Sequence, residues 1–307
     1  MFRKIGYLSA IPAIKILIRL MNPDILHAHY LSSYGAAAWI CGFHPLVVSA
    51  WGTDIFVFPH HSLINRWLIR RITDSADAIL STSRFMASEV KRYTAKQVMV
   101  TPFGVDTSLF RPMPMIRRKG QEETIGSVKA LERQYGMDVV IKSFAGVVAD
   151  KKKKPLKLEI VGSGQQEGEL KRLAIHLGIA SKVNFAGFIE HSKLPEIFNS
   201  FSVAAYGSIC PESFGVSLLE AQACGVPVVA SDIGGFREVV RHGFTGLLVP
   251  AGNHQAMAEA IGELLDDHEK RKRFSRAARE FVAAEYFWEK TIDCFMAQYY
   301  RLISTDK

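Results

Sequence analysis

Short apolar runs alternate along this chain with segments whose apolar positions recur every three or four residues. "DILHAHY" (24–30), "PLVVSA" (45–50), "DAILSTS" (77–83) and "QVMV" (97–100) have the length and β-branched content of strands. Between them, "AAAWICGF" (36–43), "SLINRWLIRRITDSA" (62–76) and "RFMASEVKRYT" (84–94) carry the helical period. Strands separated by helices predict parallel βαβ units. The rhythm breaks in "FGVDTSLFRPMPMIRRKGQEE" (103–123), which is rich in proline and charge, and a domain boundary is expected near Met115 to Gln121.

Alternation resumes with "TIGSV", a helix over Met137 to Val148, "LKLEIVG", a helix over Glu167 to Leu177, "KVNFAGF", a short helix over Lys193 to Asn199, and "SVAAYG". Gly215 to Ala223 then reads as helix, stopped by Gly225 and Pro227, with "PVVAS" as a buried strand and a further helix over Arg237 to Arg241. "TGLLVP", a helix over Gln255 to Asp266 and two late helices follow; the last, Phe287 to Ile303, carries Trp288, Ile292, Phe295, Tyr299 and Leu302 on one stripe. The expected fold class is α/β: two doubly wound Rossmann-like domains facing a cleft, with ligands beyond the carboxyl ends of the strands.

Composition narrows the partners. The chain has 307 residues, 48% hydrophobic and 22% charged, with a net charge of +8. That balance favours anionic partners such as phosphates or an anionic membrane face. Nucleic acid is not expected, because no nucleic-acid motif appears and the aromatics are not interleaved with basic residues. Lys151 to Lys154 read as a solvated loop. The four cysteines, Cys41, Cys210, Cys224 and Cys294, form no CxxC pair, which points to reduced thiols and a cytoplasmic location. Near the start, Lys15 and Arg19 interrupt an apolar stretch at helical spacing, so neither a signal peptide nor a membrane span is read there.

The candidate chemistry is concentrated in "ESFGVSLLEAQACGVPVVASDIGG", where Glu212 precedes a helix and Glu220 lies within it. On their own, these two could be a solvated glutamate and a carboxylate placed near a helix terminus. "ACGVPVVASDIGGFREVVRHGFTGLLVP" completes a long ordered pattern, and "PDILHAHY", "VVSAWGTD", "DAILSTS" and "TPFGVDTSLFRP" extend it upstream. Together they resemble family 4 retaining glycosyltransferases of the GT-B fold, over the chain from about Pro23 onward.

The resemblance implies a nucleotide-sugar donor, UDP-, GDP- or ADP-linked, and a glycan or lipid-linked acceptor, with peripheral membrane contact and no metal or other cofactor. It implies that Glu212 holds the donor sugar and Glu220 the ribose, and that Ser213, Phe214, Gly215 and Val216 open a helix towards phosphate or sugar oxygens. Lys129 takes an arginine-like place against the diphosphate, Arg133 is a second cation, and Tyr135 stands where a lysine is common. Gly162, Gly164 and Gly187 are expected near the nucleotide. In the first domain His29 is a catalytic candidate, and His27, Trp51 and Asp54 are acceptor-side candidates. The domains implied are 1–117, an incomplete acceptor-side domain; 118–284, the donor domain; and 285–307, a helix returning to the first domain. Only about twenty residues precede "PDILHAHY", where the family has further βα units and a glycine-rich loop. A non-catalytic or split protein completed by a partner is therefore the alternative reading, and a sugar-nucleotide epimerase a third.

Overall fold

The computed structural model describes residues 6–113, 122–149 and 155–305. The boundary expected at 117 and the lysine run 151–154 lie outside the described residues. Two compact units result: Met1–Phe103 with Glu289–Lys307, and Gly104–Trp288.

The first unit opens with helices α1 (Gly6–Ser9) and α2 (Ile11–Met21). Strand β1 (Leu26–His29), α3 (Ala36–Cys41), β2 (Leu46–Ala50), α4 (Thr53–Phe56), α5 (Leu63–Ser75), β3 (Ala78–Ser81), α6 (Arg84–Val90) and β4 (Val98–Val100) follow. The four strands are parallel and adjacent in chain order. Serine side chains start two of the helices: Ser62 accepts from the Asn65 N–H and Ser83 from the Met86 N–H. Pleating divides the strands between two faces. Leu46, Val48 and Ile79 pack in one cluster with Ile69 and Ile72 of α5, and Val47, Ala78 and Leu80 face the other way. That second face is covered by Phe295, Tyr299 and Leu302 of the last helix, Trp288–Thr305. A single π-helical turn, Leu31–Gly35, joins β1 to α3, a detail the apolar period does not encode.

The second unit runs β5 (Glu123–Val128), α7 (Met137–Ala149), β6 (Leu156–Val161), α8 (Glu167–His176), β7 (Val183–Gly187) and α9 (Leu194–Ser200). It continues with β8 (Val203–Tyr206), α10 (Val216–Ala223), β9 (Val228–Ser231), α11 (Phe236–Val239), β10 (Gly246–Val249), α12 (His254–Asp266) and α13 (His268–Glu285); the chain then enters α14 (Trp288–Thr305). Its parallel sheet has the order β10-β9-β8-β5-β6-β7. The chain therefore builds outward from β5 to β7 and returns to lay β8 on β5's other side. The carboxyl ends of β5 and β8 are a topological switch point, where an open α/β sheet leaves a crevice for ligand. The core is formed by the fully buried strand residues Ile125, Leu158, Ile160 and Val229 with Ile141 and Phe144 of α7 and Ile261 and Leu264 of α12.

Candidate active site

Of the predicted site residues, Lys129 and Glu212 stand at this switch point. Lys129 follows β5 directly, and Glu212 lies in the segment that leaves β8 for α10. Their side chains form an ion pair, Lys129 Nζ to Glu212 Oε1 at 2.9 Å, and are only 17% and 12% exposed. The Ser208 hydroxyl donates to the same carboxylate oxygen at 2.7 Å. The ammonium stands 4.3 Å from the centre of the Tyr135 ring and 5.9 Å from that of Phe236. Tyr135, at a position expected to be cationic, thus supplies a π face that holds the Lys129 charge.

The backbone behind Lys129 explains the glycines downstream. The Lys129 N–H donates to the Val161 carbonyl and the Leu131 N–H to that of Ser163, so the segment lies against "GSG". Gly162 has φ +135°, and a Cβ there would stand 2.0 Å from the Lys129 carbonyl oxygen. Gly162 is required for this close approach, and Gly164, whose Cβ would meet the Leu131 carbonyl at 2.4 Å, backs the same segment. The Gly162 N–H in turn donates to the Gly187 carbonyl, which brings all three predicted glycines beside the lysine.

Gly215 has φ +129°, outside helical geometry, so α10 starts at Val216. The Ser217 hydroxyl donates to the Val128 carbonyl at 2.7 Å, fixing the first turn of α10 to the end of β5. Ser213 precedes this turn. Phe214 is 2% exposed and packs its ring on Tyr286, so its side chain belongs to the core and only its backbone can serve a ligand. Glu220, in the second turn of α10, is 5% exposed. Its Oε1 lies 2.8 Å from His191 Nε2. Burial raises the Glu220 carboxyl above the usual carboxylate range, and His191 partly opposes this. His191 is itself 65% exposed at its side chain, with its ring 5.0 Å from that of Phe110. Sequence reasoning did not name it; it follows "AGFI" and meets Glu220 only through the fold. Arg133 is exposed and lines a separate cavity of ≈ 530 Å³ between α7 and α8 with Asp138, Lys142 and Gln166.

In the first unit His27 and His29 project from the same face of β1, with ring centres 3.9 Å apart. His27 hydrogen-bonds Tyr299 at 2.6 Å and Ser49 at 2.7 Å. Burial, with the neighbouring His29, lowers its pKa to about 3, so it stays neutral. Burial also lowers that of His29, whose ring is 5.2 Å from Trp51. His27, His29 and Trp51 line a cavity of ≈ 520 Å³ with Ile14, Tyr30 and Tyr34. Asp54 is a correction. It is fully buried and accepts from the backbone N–H groups of Leu31, Trp51 and Gly52 at 2.9, 3.2 and 2.7 Å. A carboxylate so enclosed holds two loops together and does not reach an acceptor. Among the described residues no group of three or more His, Cys, Asp or Glu side chains converges as a metal site, and no helix is long and apolar enough to cross a membrane.

Two Rossmann-like units, with a lysine–carboxylate pair across the switch point of the second, are the architecture of GT-B glycosyltransferases. Residues 113–281 match the family described as glycosyl transferases group 1, and residues 1–83 match glycosyl transferase 4-like proteins. The chain belongs to the glycosyl transferases group 1 family and is a glycosyltransferase. It is 30% identical over 305 residues to a D-inositol 3-phosphate glycosyltransferase of Corynebacterium urealyticum, covering 88% of this chain and 70% of that protein. It is 29% identical over 290 residues to a GDP-mannose-dependent alpha-(1-6)-phosphatidylinositol monomannoside mannosyltransferase of Mycobacterium tuberculosis, covering 87% and 74%. Among solved structures, the Anabaena protein HepE in complex with UDP and glucose superposes with a TM-score of 0.82 at 22% identity, over 94% of this chain and 81% of that one. Sucrose-phosphate synthase from Thermosynechococcus elongatus gives 0.83 at 24% identity, over 97% and 78%.

Proposed function

We propose that the protein transfers a sugar, with retention of configuration, from a nucleoside-diphosphate donor to a hydroxyl of a glycan or lipid-linked acceptor. The observation that carries this reading is the Lys129–Glu212 pair at the β5/β8 switch point. A nucleotide sugar offers each partner a better counterpart than the other. The diphosphate attracts the Lys129 ammonium, and the freed Glu212 carboxylate accepts from sugar hydroxyls. Glu220, whose carboxylate faces His191, accepts from the ribose hydroxyls, while the first backbone N–H groups of α10 meet phosphate oxygens. As the anomeric carbon–oxygen bond breaks, its electron pair moves onto the diphosphate, and the cation beside it stabilises that charge. The acceptor oxygen then bonds to the anomeric carbon on the face the diphosphate leaves, and the hydroxyl proton passes to the departing phosphate oxygen.

The apolar cavity beside β1, with His29 and Trp51 on its wall, supports an acceptor with a sugar ring or lipid portion, and His29, held neutral, hydrogen-bonds its hydroxyls. Peripheral contact with an anionic membrane is supported by α5, where Leu63, Ile64 and Trp67 are 84%, 75% and 50% exposed beside Arg66, Arg70 and Arg71. A second reading, in which a partner chain is needed for activity, is favoured by β1 standing at the edge of its sheet with that cavity beside it. The test is a transfer assay with UDP-glucose, UDP-N-acetylglucosamine and GDP-mannose against inositol phosphate and phosphoinositide acceptors, with product anomers assigned by NMR. The reading expects an α-linked product from an α-linked donor. An inverted product would overturn retention. Failure of transfer from every donor by the chain alone, with transfer restored by a partner fraction, would establish the second reading.

A further inference from the structure

Beneath the second unit's sheet, at the end opposite Lys129 and Glu212, lies another cavity of ≈ 550 Å³. Phe201 and Ser202, just before β8, and Pro227, just before β9, form one wall. The other wall is α13. His268, Arg271, Lys272, Ser275, Arg276 and Arg279 recur on it at intervals of three and four residues and so share one face. Among the described residues, Glu280 is the one carboxylate on the lining.

These cations differ in how far they are already engaged. Arg279 donates to the Thr107, Phe110 and Ala223 carbonyls and serves the fold. Lys272 pairs with the exposed Glu269, and Arg276 is exposed with no ion pair among the described residues. Arg271 is different: it is 8% exposed. Its Nη2 donates to Glu123 Oε1 at 3.0 Å and lies 3.2 Å from His268 Nδ1, while its buried Nη1 has no hydrogen-bond partner. A desolvated guanidinium N–H left without an acceptor is unfavourable unless something else satisfies it.

We propose that this cavity is a binding site for a phosphate monoester, separate from the donor site. Lys272 and Arg276 present exposed charge to phosphate oxygens, and the guanidinium of Arg271, buried beneath them and held by Glu123, adds a fixed positive charge to the wall. An anion suits the lining, because four cations, Arg271, Lys272, Arg276 and Arg279, stand against three carboxylates, Glu123, Glu269 and Glu280. A nucleobase is disfavoured: the aromatic on this wall, Phe201, is 2% exposed and offers no open face for stacking. The volume fits a small phosphorylated polyol such as a hexose phosphate. The site goes beyond the donor reading and stands without it.

The test is calorimetric titration of the whole chain at constant ionic strength with inorganic phosphate, glucose 6-phosphate, glucose, and vesicles containing phosphatidic acid. Saturable binding of glucose 6-phosphate but not glucose is expected. The double variant Lys272→Glu/Arg276→Glu, altered only at exposed positions, should raise its Kd at least tenfold with an unchanged ligand-free melting temperature. Glu212→Gln should leave the Kd within twofold, which separates this site from the donor site. Binding confined to phosphatidic acid vesicles and lost in the same double variant would assign the site to a lipid headgroup. No saturable response to any phosphate probe would overturn the proposal. So would binding that survives the double variant or disappears with Lys129→Met.

Discussion

Replacing Lys129 by methionine removes a charge but keeps the length of the side chain over Tyr135, and this makes it an informative perturbation of the site. At 2.9 Å, with an effective dielectric constant of about 20, the gross attraction to Glu212 is about 6 kcal/mol. Desolvation of two partly enclosed groups offsets most of it, so a coupling of about 2 kcal/mol should remain. A double-mutant cycle with Glu212→Gln isolates that quantity, since the amide still accepts from the Ser208 hydroxyl. Lys129→Met alone should lower the melting temperature of the ligand-free protein by about 4–8 °C. In Glu212→Gln the same substitution should have little effect. The same cation is assigned to the departing diphosphate, so its loss should reduce kcat/KM about 10²–10³-fold. Additive stability effects would show that the pair does not couple. A kcat/KM within threefold of the unaltered protein would remove Lys129 from the chemistry, whatever its stability effect.

Two further predictions concern pH. His27 titrates at about 3 in the folded protein against 6.5 when unfolded, so its contribution to stability is present above pH 6.5 and is lost as pH falls towards 3. The loss amounts to about 1.4 kcal/mol per pH unit inside that window. Urea midpoints at pH 7, 5 and 4 should fall less steeply for His27→Gln, and an identical slope would contradict the assignment. Glu220 shifts the other way. Its folded value is raised, so the folded state holds its proton longer, and the associated stability is present below 4.5 and lost as pH rises through the folded value. Glu220→Gln should therefore gain stability relative to the unaltered protein over that rise, and a pH-independent difference would contradict it.

The alternation of strands and helices was legible because both periods are local, and the break after Pro102 was legible because proline and charge disrupt both. Helix ends moved by a residue or two wherever a glycine's backbone decided the matter, as at Gly215. The carboxylates Glu212 and Glu220 could be read from spacing and resemblance, and so could Lys129. Their partners could not. His191 reaches Glu220 across 29 residues, and Tyr135 becomes useful to Lys129 only because the segment after β5 curls back on itself. The pattern "GSG" pointed towards nucleotide, yet its most direct duty in the fold is to let the Lys129 backbone pass. Asp54 was misplaced for a related reason. "WGTD" looks like a polar exit loop, and only the convergence of three backbone N–H groups shows that its carboxylate is internal. The basic face of α13 was not singled out in the sequence, and the cavity beside it depends on two strand entrances more than forty residues upstream.

The most direct test of the donor site is a calorimetric titration of UDP and GDP into the protein and into Glu220→Ala. The account predicts one-to-one binding of at least one nucleotide and a loss of tenfold or more in affinity in the variant, whose fold is checked by its melting curve. Equal affinities in the two proteins would place the nucleotide elsewhere and contradict the assignment of the β5/β8 switch point as the donor site.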